Sequence, residues 1–309
     1  SESSRRALAV NNSDAPKLRR LLRFSLTTGN IGRLAVFYQQ AFDCRTLGAQ
    51  HVSGAEFQSL MGVTGGAQRM TLQLGYELVE LLQFDRPGQP YPQPSISSDL
   101  WFQHFAIVVA DMEQAFDRLS RVKGWTAISS VGPEHLPAQS GGVSAFKFRD
   151  PDGHPLELLS FAPGQVPAAW QPTRSGALYL GIDHSAISVA DSARSIAFYQ
   201  GLGLTPAAGS LNQGAEQARL DDVPAAQVEV TALALSQGVP HLELLCYRGI
   251  ARAEAITLRN NDVAATRLIL ETEQPLPGIA GASVHRSLLD PDGHHLLLVS
   301  PADPAPQNG

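Results

Sequence analysis

Two cysteines, Cys44 and Cys246, are all that the 309 residues contain. A pair so far apart excludes a disulfide framework and a Cys-x-x-Cys metal site, and reads as free thiols in a reducing, cytoplasmic setting. No apolar run approaches the roughly 20 residues needed to cross a bilayer. The opening SESSRRALAV has no apolar core of signal-peptide length. No Lys/Arg run is interleaved with aromatics, and with a formal net charge of -6 this argues against a nucleic-acid surface. A composition of 43% hydrophobic and 17% charged residues excludes a disordered chain. What is left is a packed globular chain long enough for two domains. Nothing in the sequence sets its oligomeric state.

What the sequence does have is repetition. Residues 150–161 read DPDGHPLELLSF and residues 290–301 read DPDGHHLLLVSP, identical at eight of twelve positions. RLAVFYQQAF (33–42) answers RSIAFYQGLG (194–203), and HFAIVVADMEQAF (104–116) answers HSAISVADSARSI (184–196). Strands ending 79–84, 156–161, 242–247 and 296–301 align as well. Four modules follow, near 21–85, 100–162, 179–248 and 252–302. Each opens on an alternating strand, continues through a helix that Asn30, Asp111, Asp191 or Asn260 is placed to cap, and closes with two or three strands. Asp-Pro-Asp-Gly is a tight turn between the last two strands.

A β-α-β-β-β module has a half-exposed sheet and needs a partner. The Pro/Gly/Ala-rich stretch 163–178 reads as a linker, and the tail 302–309 as loose. The expected fold is therefore α+β. Its four modules pair into two domains with cupped mixed sheets, 21–162 and 179–302.

On these motifs, above all FYQ at Phe37–Gln39 and Phe198–Gln200 and FRDPDGHPLELLSF at 148–161, the chain resembles the vicinal oxygen chelate superfamily. That group includes lactoylglutathione lyase, methylmalonyl-CoA epimerase, extradiol ring-cleaving dioxygenases, and bleomycin and fosfomycin resistance proteins. The resemblance implies a divalent metal (Zn, Ni, Mn, Fe or Co) at positions near the start of each first strand and the middle of each last strand. In the first half these are Arg23, Glu80, His104 and Glu157; in the second they are His184, Glu243, Ala253 and Leu297. His241 can share the face of Glu243. His154, His294 and His295 follow turns and read as solvent-facing.

The resemblance points to His104, Glu80 and Glu157 as a metal set, with Glu80 or Glu157 moving a proton and Arg23 binding an anionic substrate. Arg23 leaves alternatives open, because a permanent cation can neutralise the glutamates without a metal, in an organic-ion pocket or a structural pair. Leu297 removes the last carboxylate of the second half, where His184 and Glu243 form a poorer pocket. The resemblance implies a metal-dependent lyase or isomerase acting on a small oxygenated molecule, its substrate partner, through an enediolate. An extradiol-type dioxygenase and a non-catalytic binding protein are the alternatives.

Overall fold

Helix caps are where the repeat first becomes structure. Asn30, Asp111 and Asp191 each lie in extended backbone and accept a hydrogen bond from the backbone N–H three residues on, starting three equivalent helices. The computed structural model describes residues 15–171, 176–278 and 285–301; the opening decapeptide and the tail 302–309 lie outside the described residues. Module one comprises β1 (Leu18–Thr27), α1 (Ile31–Phe42), β2 (Arg45–Val52), α2 (Ala55–Met61), β3 (Ala67–Leu74) and β4 (Glu77–Phe84). Module two has β5 (Gln103–Val109), α3 (Met112–Arg121), β6 (Thr126–Ala127), β7 (Glu134–His135), β8 (Ser144–Arg149) and β9 (Pro155–Ser160). Module three has β10 (Tyr179–Ser188), α4 (Ser192–Gly201), β11 (Thr205–Gln213), α5 (Ala215–Asp221), β12 (Gln227–Leu235) and β13 (Gly238–Tyr247). Module four is reduced to β14 (Arg267–Thr272), β15 (His285–Leu289) and β16 (His295–Val299), with no helix among its described residues.

The α+β class and the two mixed, cupped sheets are as expected; the pairing of modules is not. One sheet of seven strands runs β15-β16-β14-β1-β4-β3-β2, so module one pairs with module four. The other, of nine strands, runs β11-β12-β13-β10-β5-β9-β8-β6, so module two pairs with module three. The first strands meet antiparallel at the middle of each sheet, β1 on β14 and β5 on β10. Each half of the chain therefore contributes to both sheets, and 21–162 and 179–302 are not separate cups. Two pairings satisfy the same hydrophobic pattern, and the repeat alone does not distinguish them.

The core lies between the sheets. Leu34, Tyr38 and Phe42 of α1, Leu119 of α3 and Tyr199 of α4 pack there against Phe24, Phe105, Phe146 and Leu268. Phe24 and Phe105 touch across the layers, with ring centroids 5.0 Å apart. The opposite faces of β1 and β5 carry Ser25 and His104, so the two cups open on opposite sides of the molecule.

The Asp-Pro-Asp-Gly turns clasp the layers. Tyr38 Oη donates to Asp150 Oδ2 at 3.1 Å and Tyr199 Oη to Asp290 Oδ2 at 2.9 Å. Arg33 pairs with Asp152, and Arg194 with Asp292 at 2.6 Å. Contrary to expectation, His154, His294 and His295 are buried. His154 Nε2 lies 2.9 Å from Thr27 O and His294 Nε2 2.8 Å from Ser188 O, positions at which each ring can satisfy a carbonyl left over at the end of a first strand. Asn260 caps no helix; its backbone carbonyl accepts from Arg267 instead.

Candidate functional site

Four side chains converge where β5 meets β10. Along β5, His104 and Ala106 share one face; along β10, His184 and Ala186 do. Ala106 stands opposite Glu157 on β9, and Ala186 opposite Glu243 on β13. Across the seam His104 pairs with Ala186, and Ala106 with His184. Each imidazole thus sits beside the other strand's alanine, and these small residues leave space above the sheet. His104 Nε2 is 3.2 Å from Glu157 Oε2, and His184 Nε2 is 3.4 Å from Glu243 Oε2. Ligand atoms of His104, Glu157 and His184 all lie within 4.8 Å of one another.

A second ring of polar groups holds these four. In β10 the register slips between Ile182 and His184, leaving Asp183 as an extra residue. Its Oδ2 lies 2.8 Å from His184 Nδ1, and its Oδ1 accepts from Trp170 Nε1 at 2.8 Å. Trp170 comes from the linker and is buried, so that stretch is more than a spacer. On the other side, Lys147 of β8 stands opposite Glu157. Its Nζ donates to Asp221 at 2.6 Å and lies 3.9 Å from Glu157. Asp221, at the end of α5, also accepts from Gln217 Nε2 and Tyr247 Oη. Sequence reasoning missed Lys147, Asp183 and Trp170. A signal was present for Lys147, a charge within the otherwise apolar run Ala145, Phe146, Phe148.

Electrostatics mark this cup as unfinished. Burial disfavours the His184 imidazolium, but Glu243 and Asp183 outweigh it and push the group up to about 9. Burial would raise Glu243, yet His184 and His241 hold it down at about 2. Burial lowers His104, with Glu157 only partly opposing. Four carboxylates (Glu157, Glu243, Asp183, Asp221) thus face one ammonium and one imidazolium in a cup largely closed from water, a costly surplus of negative charge. His104 Nδ1 is buried without a hydrogen-bond partner, and Nε2 meets Glu157 alone, at 3.2 Å. Two buried imidazoles facing a surplus of carboxylate suit a divalent cation with nitrogen and oxygen ligands. The residues present therefore fit such a metal.

The cup of modules one and four differs at each matching position. Ser25 stands opposite both Glu80 on β4 and Arg267 on β14, and Ile269 opposite Leu297 on β16. Register therefore makes Arg23, Glu80, Arg267 and Leu297 the counterparts of the two His–Glu pairs. Ala253 is not the fourth position: Arg267 is, because the first strand of module four begins there. Glu80 does not join His104 and Glu157. It accepts from Ser25 Oγ at 2.8 Å and lies 3.2 Å from Arg23 Nε. Arg23 likewise belongs to this cup and not to the site of His104. Arg267 is fully buried, and burial draws its guanidinium down to about 10 although Glu80 opposes this. Its Nε donates to Ser25 Oγ, and its Nη1 to Thr27 Oγ1 and to the carbonyls of Asn260 and Ala265. Apolar side chains (Leu82, Phe84, Ile269, Leu297 and Met61 of α2) fill the rest.

Among the described residues, no helix is long and apolar enough to cross a membrane. No curated protein matches the sequence. Residues 20–158 match the family model of the Glyoxalase/Bleomycin resistance protein/Dioxygenase superfamily. Among solved structures, a mutant glyoxalase I from Zea mays is similar over 91% of this chain and 94% of its own, with TM-score 0.59 and 19% identity. Another glyoxalase I structure from Zea mays aligns with TM-score 0.57 at 18% identity, covering 91% of this chain and 92% of that one. A candidate dioxygenase from Bacillus subtilis aligns with TM-score 0.55 at 9% identity, covering 93% and 86%. Such identities speak to the fold. Members of this superfamily typically use divalent metals and act on small molecules, and the His/Glu/Asp groups described above could hold such an ion. Residues 20–158 belong to the Glyoxalase/Bleomycin resistance protein/Dioxygenase superfamily, and the chain as a whole carries the glyoxalase-like fold.

Proposed function

We propose that the protein is a divalent-metal-dependent lyase or isomerase of the glyoxalase type, with His104, Glu157, His184 and Glu243 holding the metal. The observation that carries this reading is the convergence of two buried His–Glu pairs, with ligand atoms of His104, Glu157 and His184 within 4.8 Å of one another. When bound, a Zn, Ni, Mn, Fe or Co ion would supply Lewis-acid polarisation of adjacent substrate oxygens. The chain's own residues supply the rest. Lys147 and His104 fix Glu157 on the floor of the cup. Glu243 is less enclosed, and its Oε1 lies 3.4 Å from Nε2 of the half-buried His241. Glu243 is therefore the carboxylate better placed to give up its ligand role and its pairing with His184, take a proton from a substrate carbon and return it, with His241 leading toward solvent. Asp183 and Trp170 hold the His184 ring in one orientation.

Glu243 also weighs against the dioxygenase reading. Two histidines and one carboxylate would leave three positions for oxygen and a chelating substrate, and a fourth protein ligand takes one of them. Cys44 and Cys246 are unpaired, which supports a reducing, cytoplasmic setting.

The test is elemental analysis of protein purified without chelator. Wild type and Glu80→Gln should carry metal equally, while Glu157→Gln and His104→Ala lose it. Metal-loaded protein should then catalyse solvent-deuterium exchange at the carbon next to a substrate carbonyl. Binding of such compounds without any exchange would favour a non-catalytic binding protein.

A further inference from the structure

The cavity above the His–Glu cup measures about 370 Å³ and is lined by β8, β9, β11, β13, the turn at 139–141 and α5. That is near the lower end of the roughly 300–1,000 Å³ of small-molecule sites. Its walls are apolar on several sides, with Leu136, Val143, Leu159, Leu220, Val230 and Leu245 contributing. Among the described residues that line it, Lys147 is the only lysine or arginine. Its ammonium is already committed to Asp221, with Glu157 at 3.9 Å. Arg219, on α5, is committed to Glu134 outside the cavity. No described lining cation is free to meet an incoming anion.

Charge counting points the same way. Four negative carboxylates set against one ammonium and a dication leave the cup one charge negative when its imidazoles are neutral. One further polar group is unspent. Gln217 is buried; its Nε2 donates to Asp221 at 2.8 Å, and its Oε1 has no partner. A buried acceptor of this kind costs free energy until a donor reaches it.

We infer that the substrate is a small, uncharged, oxygenated molecule with an apolar substituent, whose hydroxyl donates to Gln217 Oε1, and that thiol adducts carrying carboxylates are excluded. The inference rests on the metal reading of this cup and names its substrate class. The apolar substituent lies against the leucine and valine walls, and adjacent oxygens face the four converging side chains. Arg23, from which an anionic substrate would follow, is in the other cup.

The experiment uses three hemithioacetals of phenylglyoxal that differ in the thiol: 2-mercaptoethanol (neutral), 3-mercaptopropionate (one carboxylate) and glutathione. Binding is measured by calorimetry on the full chain, once loaded with zinc and once stripped, with zinc content determined separately. The neutral adduct should bind about tenfold or more tighter than either carboxylate-bearing one. Equal or tighter binding of the anionic adducts overturns the inference. Failure to load zinc overturns the metal reading alone. The stripped protein still reports the charge preference, and it should discriminate in the same direction. Gln217→Met keeps the volume and removes the acceptor; it should weaken the neutral adduct several-fold with zinc content unchanged. An unchanged affinity in this variant removes Gln217 from the proposal.

Discussion

The two cups share one architecture and hold opposite chemistry. Where modules two and three place His104, Glu157, His184 and Glu243, modules one and four place Arg23, Glu80, Arg267 and Leu297 at matching registers. One cup keeps both imidazoles and both carboxylates and is left with uncompensated negative charge. The other replaces both imidazoles by guanidinium groups and one carboxylate by leucine, then fills its space with Phe84, Ile269 and Met61. A buried guanidinium donates to Ser25, Thr27 and two carbonyls and sets a permanent positive charge near Glu80, where the sister cup would need a metal. Duplication thus gives one chain a site for chemistry and a core built on the same frame.

That contrast breaks most visibly at Arg267. Replacing it with Met removes its hydrogen bonds to Ser25, Thr27 and the Asn260 and Ala265 carbonyls and the buried cation that Glu80 faces, and should cost about 3–5 kcal/mol in urea unfolding. Metal content should not change. A loss of metal in that variant would show that the cups are coupled.

Asp183→Asn sharpens the other side. The amide presents N–H where the His184 ring needs an acceptor, so metal affinity should fall about 10–100-fold, measured by chelator competition. Folding stability should barely move. An unaltered affinity would reduce Asp183 to a packing residue.

The join between the layers has its own pH signature. Glu77 of β4 accepts from Ile182 N of β10 at 2.6 Å, and Gly181 is glycine because a Cβ there would collide with that carboxylate. Burial pushes Glu77 up to about 8, with Asp183 adding to the effect. Below pH 4.5 the group is protonated whether the chain is folded or not. As pH rises from there toward about 8 only the unfolded state releases the proton, so this group's contribution to stability falls across that window. Glu77→Gln should flatten that part of the stability–pH curve relative to wild type; parallel curves would rule Glu77 out.

The smallest effect should be the same on both sides. Tyr38→Phe and Tyr199→Phe each remove one hydrogen bond to a buried turn aspartate, at about 1 kcal/mol apiece. Unequal costs would mean that the two clasps are not equivalent.

Much of this was legible in the sequence, and the failures have physical causes. The module repeat, three of the four helix caps and the inward faces of β5 and β10 follow from alternation and turn chemistry, which are local. Which modules share a sheet is not local. His104 and Glu157 are legible as neighbours because they belong to one module, whereas Glu80 joins them only if modules one and two share a sheet, which they do not. Ala253 stood in for Arg267 because the first strand of module four lacks the His-to-Asp spacing of its sisters. Lys147 and Asp183 were hidden for different reasons, one as a charge in an apolar strand and the other as a bulge that only pairing reveals. His154 and His294 follow a turn, which suggests exposure, but they fold back to meet carbonyls of the neighbouring layer.

The central claim is that a single metal binds in the cup of modules two and three. Anomalous diffraction from crystals of the full chain loaded with zinc tests it most directly. One peak per chain is expected, bounded by His104, Glu157, His184 and Glu243, with none near Arg23, Glu80 and Arg267. A peak beside Glu80, or none at the four converging side chains in protein shown to contain zinc, would contradict it.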